Sequence, residues 1–142
     1  LEFYRERALA RPGALEFVQA LAERGVRMMG VVRPQPYLQA GLERCGFAPY
    51  LDAIVSVGDV GASKREPAVY DHAREAMGTP LAATWGVEDS VYAVRTLKAA
   101  NTARSASTTA ISRARASSWQ PRPSGSFTTF EDLDVDTFLG WN

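Results

Sequence analysis

Three short stretches of this sequence carry charged side chains suited to binding a phosphate group and a metal ion. Lys64 lies in the segment VGDVGASKREP, and Glu88 and Asp89 follow an apolar run that begins at Thr84. Arg33 comes directly after a third apolar run, GVV. Carboxylate oxygens are hard ligands that suit Mg²⁺, while lysine and arginine offer positive charge and hydrogen-bond donors to phosphate oxygens. These residue types predict a magnesium and phosphate site.

Each of these side chains also has a purely structural interpretation. Lys64 and Arg33 would be ordinary in solvated loops. Glu88 and Asp89 would be ordinary at the start of a helix, where the helix dipole favours negative charge. The choice between the two interpretations depends on whether the fold brings the residues together.

The elements that must position these residues alternate between helices and strands. Helices are predicted from Ala14 to the turn at Gly25, at Tyr37–Cys45, from Pro67 to Met77 and at Ser90–Ala100, and strands at Val26–Val32, Ala53–Val57 and Leu81–Val87, with a loop over Asp59–Arg65. Such alternation indicates an α/β fold with a mostly parallel sheet and right-handed crossovers. Ligands of such sheets bind beyond the carboxyl ends of the strands, which is where the candidate residues lie.

The sequence divides into three parts. Residues 1–100 carry the α/β pattern, and residues 101–126 have seven serines, no acidic residue and no helical or strand period. Two interpretations of this middle part stay open: a linker, or a segment read out of frame, because a shifted reading of its first codons can encode glycine followed by an apolar strand. In residues 127–142 the residues Phe130, Leu133 and Phe138 predict a terminal element packed on the body.

Composition narrows the class of protein. With 46% apolar residues among 142, the chain can bury one core of ordinary size, and the balance of 16 basic and 16 acidic residues gives no reason to expect binding to nucleic acid or to a membrane surface. Cys45 is the only cysteine, which excludes an internal disulfide and a cysteine-based metal site. No apolar run approaches the ~18 residues of a membrane span. We therefore expect a cytoplasmic protein.

Two motifs and their separation resemble a known family. The segment Ser63–Pro67, followed along the chain by Gly86–Ser90 ahead of a helix, resembles the third and fourth motifs of the haloacid dehalogenase-like (HAD) hydrolases. The branch of β-phosphoglucomutase and phosphoglycolate phosphatase is the most similar. The resemblance extends upstream to Arg11–Gly13 and covers about Tyr4 to Ala100.

The resemblance implies a Rossmann-like, three-layer α/β/α core with a helical cap, and magnesium-dependent phosphoryl transfer through an aspartyl-phosphate. The substrate class it implies is a small phosphorylated metabolite. In similar proteins the motif lysine steadies the nucleophile and the phosphate, a role that falls here on Lys64 as a catalytic and phosphate-binding residue. The metal ligands would be Glu88 and Asp89, with Arg33 at the phosphate and Ser90 capping the following helix.

The sequence also departs from the family pattern. The family's nucleophile is the first aspartate of an Asp-x-Asp motif that ends an N-terminal strand, and no such strand lies in Leu1–Arg11. Arg33 replaces the serine or threonine of the second motif, and Ala68 and Ala93 replace further family residues. We therefore expect an incomplete core that resembles a fragment, is inactive by itself, and self-associates through exposed strand edges. The alternative is a non-catalytic binding or assembly module that keeps the fold.

Asp132–Asp134 repeats the Asp-x-Asp pattern near the other end of the chain. No apolar strand leads into it, and Thr137 stands where a calcium loop beginning at Asp132 would have glycine. We interpret the stretch as the start of a helix with acidic residues in its first turn.

Overall fold

The computed structural model describes residues 2–32, 35–100, 104–108, 125–127 and 129–140. Its helices are α1 (Glu2–Glu6), α2 (Ala14–Glu23), α3 (Gln35–Arg44), α4 (Val57–Val60), α5 (Ala68–Met77), α6 (Val91–Ala100) and α7 (Val135–Leu139). Its strands are β1 (Met29–Val32), β2 (Ala53–Ser56), β3 (Trp85–Glu88), β4 (Arg104–Thr108) and β5 (Gly125–Phe127). Short 3₁₀ turns cover Ala48–Tyr50, Leu81–Ala83 and Phe130–Asp132.

All strand pairs in the described residues are parallel, as the alternating pattern predicts. β1 pairs with β2, and β4 lies between β3 and β5. The two groups of strands are not joined to each other by ladder hydrogen bonds among the described strands. The α/β class with a parallel sheet is therefore confirmed, and the sheet is interrupted between β1 and β3.

The start of α2 is fixed by a close backbone contact with the C-terminal part of the chain. Gly13 has a φ of 74°, and a Cβ placed on it would lie 2.5 Å from the backbone nitrogen of Glu131. A larger residue at this position would both strain the backbone and push the C-terminal segment away. Gly13 thus lets the 3₁₀ turn at Phe130–Asp132 pack against the first turn of α2.

Two apolar clusters hold the described elements together. The first, here called the C-terminal core, joins α2 to α7 through Phe17, Leu21, Leu133, Val135 and Phe138. The second, here called the site core, joins β2, α5 and α6 through Val55, Val69, Tyr70, Ala73, Ala93 and Leu97. Leu133 and Phe138 are both buried in the C-terminal core.

Several parts of the sequence-based assignment differ from the structure. Strand β4 lies within residues 101–126 and β5 overlaps their end, where no strand was predicted, and Leu81–Ala83 of the predicted strand Leu81–Val87 is a 3₁₀ turn. The serines, alanine and threonine of β4 have no apolar alternation, but pairing with β3, from Trp85↔Arg104 to Glu88↔Ser107, satisfies the backbone without it. The predicted loop at Asp59–Arg65 is also shorter, because α4 extends to Val60. In the described part of the chain, no helix is long and apolar enough to cross a membrane.

Candidate functional site

The site begins with Glu88, the last residue of β3. Strand β3 lies close to α6, and a Cβ on Gly86 would fall 2.5 Å from a methyl carbon of the buried Leu97, so a larger residue would require the Leu97 side chain to shift. Strand β3 therefore packs closely against α6, and Glu88 lies at the carboxyl end of the strand. The side chain of Glu88 is only 8% exposed.

Lys64 comes from the loop between α4 and α5. The Oγ of Ser56 accepts a hydrogen bond of 3.1 Å from the Gly58 N–H at the start of α4. Further along, the Oε1 of Glu66 accepts hydrogen bonds from the Ser63 N–H at 3.0 Å and the Ser63 hydroxyl at 2.9 Å, and these bonds lower the pKa of Glu66. Lys64 lies within this turn, which fixes the direction of its side chain.

Lys64 and Glu88 form a short and largely buried ion pair. The Nζ of Lys64 lies 2.7 Å from the Oε1 of Glu88, with 21% of the lysine side chain exposed. The buried Tyr70 of α5 donates its hydroxyl to the same Oε1 at 3.1 Å. A buried carboxylate needs such partners, because an unpaired charge in the interior is costly. Burial, and then the charge of Glu88, raise the pKa of the Tyr70 phenol well above its ordinary range.

Sequence reasoning missed Tyr70. The apolar period of α5 predicts Val69, Ala73, Ala76 and Met77 as its inward face, yet Ala76 is exposed and Tyr70 is buried. A tyrosine beside Val69 and one turn before Ala73 was the available signal. A buried tyrosine requires a partner for its hydroxyl, and an acidic residue at the end of the next strand could supply one.

Asp89 has a different environment from its neighbour Glu88. Its side chain is 54% exposed, and its Oδ2 lies 3.7 Å from a guanidinium nitrogen of Arg11, which is itself half-exposed. The structure thus brings Lys64, Tyr70 and Glu88 together but gives Asp89 a separate partner in solvent.

Two further sequence predictions concern positions near this edge. Arg33 lies outside the described residues, so its place at the phosphate stays a prediction. Ser90 lies where an N-cap residue is expected, because its carbonyl accepts the N–H of Val94 at 3.1 Å. Next to this helix the guanidinium of Arg65 lies 4.5 Å from the ring centre of Tyr92, which docks the lysine loop on α6.

A cavity of about 280 Å³ lies beside the Lys64–Glu88 pair. Both groups of strands line it, through residues 29–31 of β1 and 85–88 of β3. Helices α5 and α6 contribute Ala73 and Leu97 to its wall. The interruption of the sheet is therefore an open space that ends at the candidate site.

The carboxylates of Glu88 and Asp89 are not equally suited to binding Mg²⁺. Mg²⁺ in proteins takes one or two carboxylates and completes its shell with water and substrate phosphate oxygens. The exposed Asp89 fits such a role, whereas Lys64 already lies against the Oε1 of Glu88. No group of three or more His, Cys, Asp or Glu side chains gathers around one point in the described ranges. A metal here would use Asp89 first and Glu88 through water or its second oxygen.

A parallel α/β fold with a lysine and two acids beyond its strands is found in more than one class of protein, and the fold alone does not select among them. Comparison with known protein families identifies the class to which this chain belongs. The model of the family described as hydrolase, haloacid dehalogenase-like hydrolase, matches residues 1–101. The chain belongs to this family. No protein of curated function matches the sequence significantly.

Solved structures show the same fold. A HAD phosphatase from Thermococcus onnurineus matches with a TM-score of 0.76 and 19% identity over 92% of this chain and 58% of that one. An L-2-haloacid dehalogenase matches with a TM-score of 0.74 and 19% identity over 92% and 56%. A magnesium-bound HAD-hydrolase, YfnB of Bacillus subtilis, matches with a TM-score of 0.72 and 16% identity over 87% and 52%.

This chain therefore spans little more than half the length of these relatives. At such low identity the likeness establishes the HAD fold, and the expected Rossmann-like, incomplete core is confirmed.

Proposed function

We propose that the site around Lys64 is that of a magnesium-dependent phosphatase or phosphohexomutase acting on a small phosphorylated metabolite. The observation that carries the proposal is the contact of 2.7 Å between Lys64 and Glu88, with Asp89 next in the chain. One cation and two carboxylates are thereby placed at the carboxyl edge of a parallel sheet, where such folds bind their ligands. The family membership and the phosphatase fold of one solved relative support the choice.

Each residue has a stated role in this proposal. The ammonium of Lys64 has three donors, of which one contacts Glu88 and the others can reach phosphate oxygens. Asp89 holds magnesium and Glu88 assists through water, while Arg33 contributes a further donor to the phosphate. The metal, when bound, neutralises charge that develops on the transferred phosphoryl group. Tyr70 orients Glu88 and keeps Lys64 in place.

We further propose that this chain alone is inactive. Covalent phosphoryl transfer in the family needs an aspartate at the end of a strand, and no described strand ends in one. Asp132 and Asp134 do not replace it, because both are engaged locally. The Asp134 carboxylate caps α7 by accepting the Thr137 N–H at 2.8 Å, and the Thr129 hydroxyl donates to Asp132 at 3.0 Å.

The second candidate is a non-catalytic binding or assembly module, and one observation favours it. Both acids of the motif already have a cation within the chain, Lys64 for Glu88 and Arg11 for Asp89. A site neutralised in this way can persist without metal or substrate. Self-association through the strand edges at the interruption would be its function.

We also propose a cytoplasmic location and a small-molecule ligand rather than nucleic acid or a membrane. The balanced charge of the chain and its single, partly buried thiol at Cys45 support this assignment.

The test combines turnover with metal binding. Phosphate release from p-nitrophenyl phosphate and the thermal midpoint would be measured with and without Mg²⁺ for the wild type, Asp89→Asn and Asp71→Asn. The last is a matched control, because it removes the same charge on α5 outside the site. We expect no turnover by the chain alone, and a magnesium-dependent rise in midpoint that Asp89→Asn abolishes and Asp71→Asn keeps.

Each other result has a defined meaning. Turnover that disappears in Asp89→Asn would confirm the enzyme and overturn the proposed inactivity. A midpoint that magnesium does not change, with no turnover, would overturn the metal site and leave the assembly module, for which sedimentation should then show concentration-dependent association.

A further inference from the structure

We propose that Arg65 and Tyr92 form a clamp that positions Lys64 at the candidate site. The guanidinium carbon of Arg65 lies 4.5 Å from the ring centre of Tyr92, which belongs to the first turn of α6. Arg65 directly follows Lys64, so this contact, here called the arginine clamp, acts on the loop at the residue next to the lysine. The inference deepens the proposed function and rests on it for the role of Lys64 toward phosphate.

The arginine clamp and the ion pair join the lysine loop to the fold on the two sides of one helix start. Glu88 ends β3 before this start, and Tyr92 lies just after it in α6. Lys64 contacts Glu88, and Arg65 contacts Tyr92. A loop held at one point can turn about that point, whereas a second contact removes this freedom. Two successive loop residues are thus held at the place where the acidic pair leads into α6.

The hydrogen bonds within the loop shape it without attaching it to α6. The carboxylate of Glu66 accepts the N–H and the hydroxyl of Ser63, and the Ser63 hydroxyl oxygen accepts the Arg65 N–H at 3.2 Å. These bonds fix the direction of Lys64 relative to its own loop. The arginine clamp fixes the loop relative to the helix that follows the acidic pair.

The two side chains of the arginine clamp are well suited to each other. The face of a tyrosine ring is electronegative and attracts a cation, and a guanidinium is planar and weakly hydrated, so it stacks on such a face at a low cost in lost hydration. The ring itself is held in place, because Tyr92 is partly buried and packs against the site core. Arg65, by contrast, is exposed, so the ring provides the fixed side of the contact.

A positioned lysine has a direct consequence for the proposed chemistry. A lysine stem has several rotatable bonds, and ordering it costs free energy. The ammonium of Lys64 has three donors, one of which contacts Glu88. When the stem is ordered before phosphate arrives, less of this cost falls on the binding step. Arg65 and Tyr92 act through Lys64 and need no contact with the phosphate, so both are positioning residues.

The sequence provides a direct reporter for this effect. Lys64 and Lys98 are its only lysines, so protein labelled with ¹³C at lysine gives the signals of just these side chains in NMR spectra. Relaxation of the Cε signals yields an order parameter for each side chain, which measures motion on the picosecond to nanosecond timescale. Lys98, in the last turn of α6, is the internal control.

Single substitutions test each side of the arginine clamp. Arg65→Gln removes the guanidinium, and Tyr92→Leu removes the ring but keeps apolar bulk, so the order parameter of Lys64 should fall by roughly a third in each. Tyr92→Phe keeps an aromatic face and should leave Lys64 unchanged. Arg44→Gln makes the same change at an exposed arginine of α3 and is the matched control. The order parameter of Lys98 should be unchanged throughout.

An unchanged order parameter of Lys64 in a folded Arg65→Gln variant would overturn the proposal. An equal loss in Tyr92→Phe and Tyr92→Leu would also overturn it, as would a loss in Arg44→Gln as large as that in Arg65→Gln. If Tyr92→Leu does not fold, the comparison of Arg65→Gln with Arg44→Gln remains decisive. The samples contain neither metal nor phosphate, so a failure here concerns the arginine clamp, whereas a failure of the proposed function appears as an absent Mg²⁺ effect on the thermal midpoint.

Discussion

The C-terminal core and the site core pack their residues in different ways. The C-terminal core uses large aromatic side chains, with the ring of Phe138 5.3 Å from Phe17 and 5.4 Å from Trp85, both measured between centroids. The site core contains the small residues Ala73 and Ala93, and Tyr70 in it turns its hydroxyl toward Glu88. It also borders the cavity beside the Lys64–Glu88 pair, whereas tilted and edge-on rings fill the C-terminal core.

The two cores therefore differ in role: the C-terminal core contributes mainly stability, and the site core lies beside the charged residues of the candidate site. Aromatic pairs at these distances stabilise by area and by ring geometry, and they need no particular ligand. A buried ion pair contributes little to stability, because the loss of hydration offsets most of the attraction. The site core therefore borders the charged pair of Lys64 and Glu88, which adds little to stability, through the hydroxyl of Tyr70. Removing one group from each core should make the contrast measurable.

The largest effect is expected in the C-terminal core. Phe138→Ala removes a ring that contacts two other aromatic residues and joins α7 to α2, so the free energy of unfolding should fall by about 3–5 kcal/mol. Leu139→Ala, at the exposed neighbouring position, is the control and should change it by less than about 1 kcal/mol. Denaturant unfolding followed by circular dichroism gives both values. Equal losses in the two variants would show that the C-terminal core does not hold the chain together.

A smaller effect is expected from breaking the ion pair of Lys64 and Glu88 beside the site core. Lys64→Met leaves the buried carboxylate of Glu88 without its cation and should cost about 2 kcal/mol, below the cost for a fully buried pair because Lys64 is partly exposed. The double variant Lys64→Met with Glu88→Gln removes the charge as well and should regain part of that loss. A full double-mutant cycle at neutral pH measures the coupling between the two residues.

Two results would contradict this view of the pair. Additive losses, with no coupling between positions 64 and 88, would mean that the contact of 2.7 Å has no energetic consequence in solution. A greater loss in Glu88→Gln alone than in Lys64→Met would indicate that Tyr70, rather than Lys64, is the main partner of Glu88.

These contrasts also show which features a sequence can predict. The parallel fold and the approach of Lys64 to Glu88 follow from local rules, because helices and strands have their own periods and parallel strands end at one edge. The pairing of Tyr70 with Glu88, and of Arg11 with Asp89, depends on side chains from separate elements meeting in space. No local sequence pattern predicts which side chains of separate elements come into contact. Strand β4 was missed for a related reason, since its pairing partner and not its own residues makes it a strand.

The smallest predicted effect concerns Tyr70 and appears at alkaline pH. Burial and then the charge of Glu88 hold the pKa of Tyr70 above its ordinary value of 10.0, so its phenol stays neutral in the folded chain when it ionises in the unfolded chain. The stability that depends on this neutral phenol is fully present below pH 10 and is lost as the pH rises above that value.

Tyr70→Phe should lower the free energy of unfolding by about 1 kcal/mol at neutral pH, through the lost hydrogen bond. Above pH 10 the free energy of unfolding of this variant should decline less steeply than that of the wild type. Tyr37→Phe, at an exposed ring, is the matched control and should follow the wild-type curve. Unfolding free energies measured from pH 7 to 11.5 test this prediction. Parallel curves for wild type and Tyr70→Phe would mean that the phenol does not remain neutral beside Glu88.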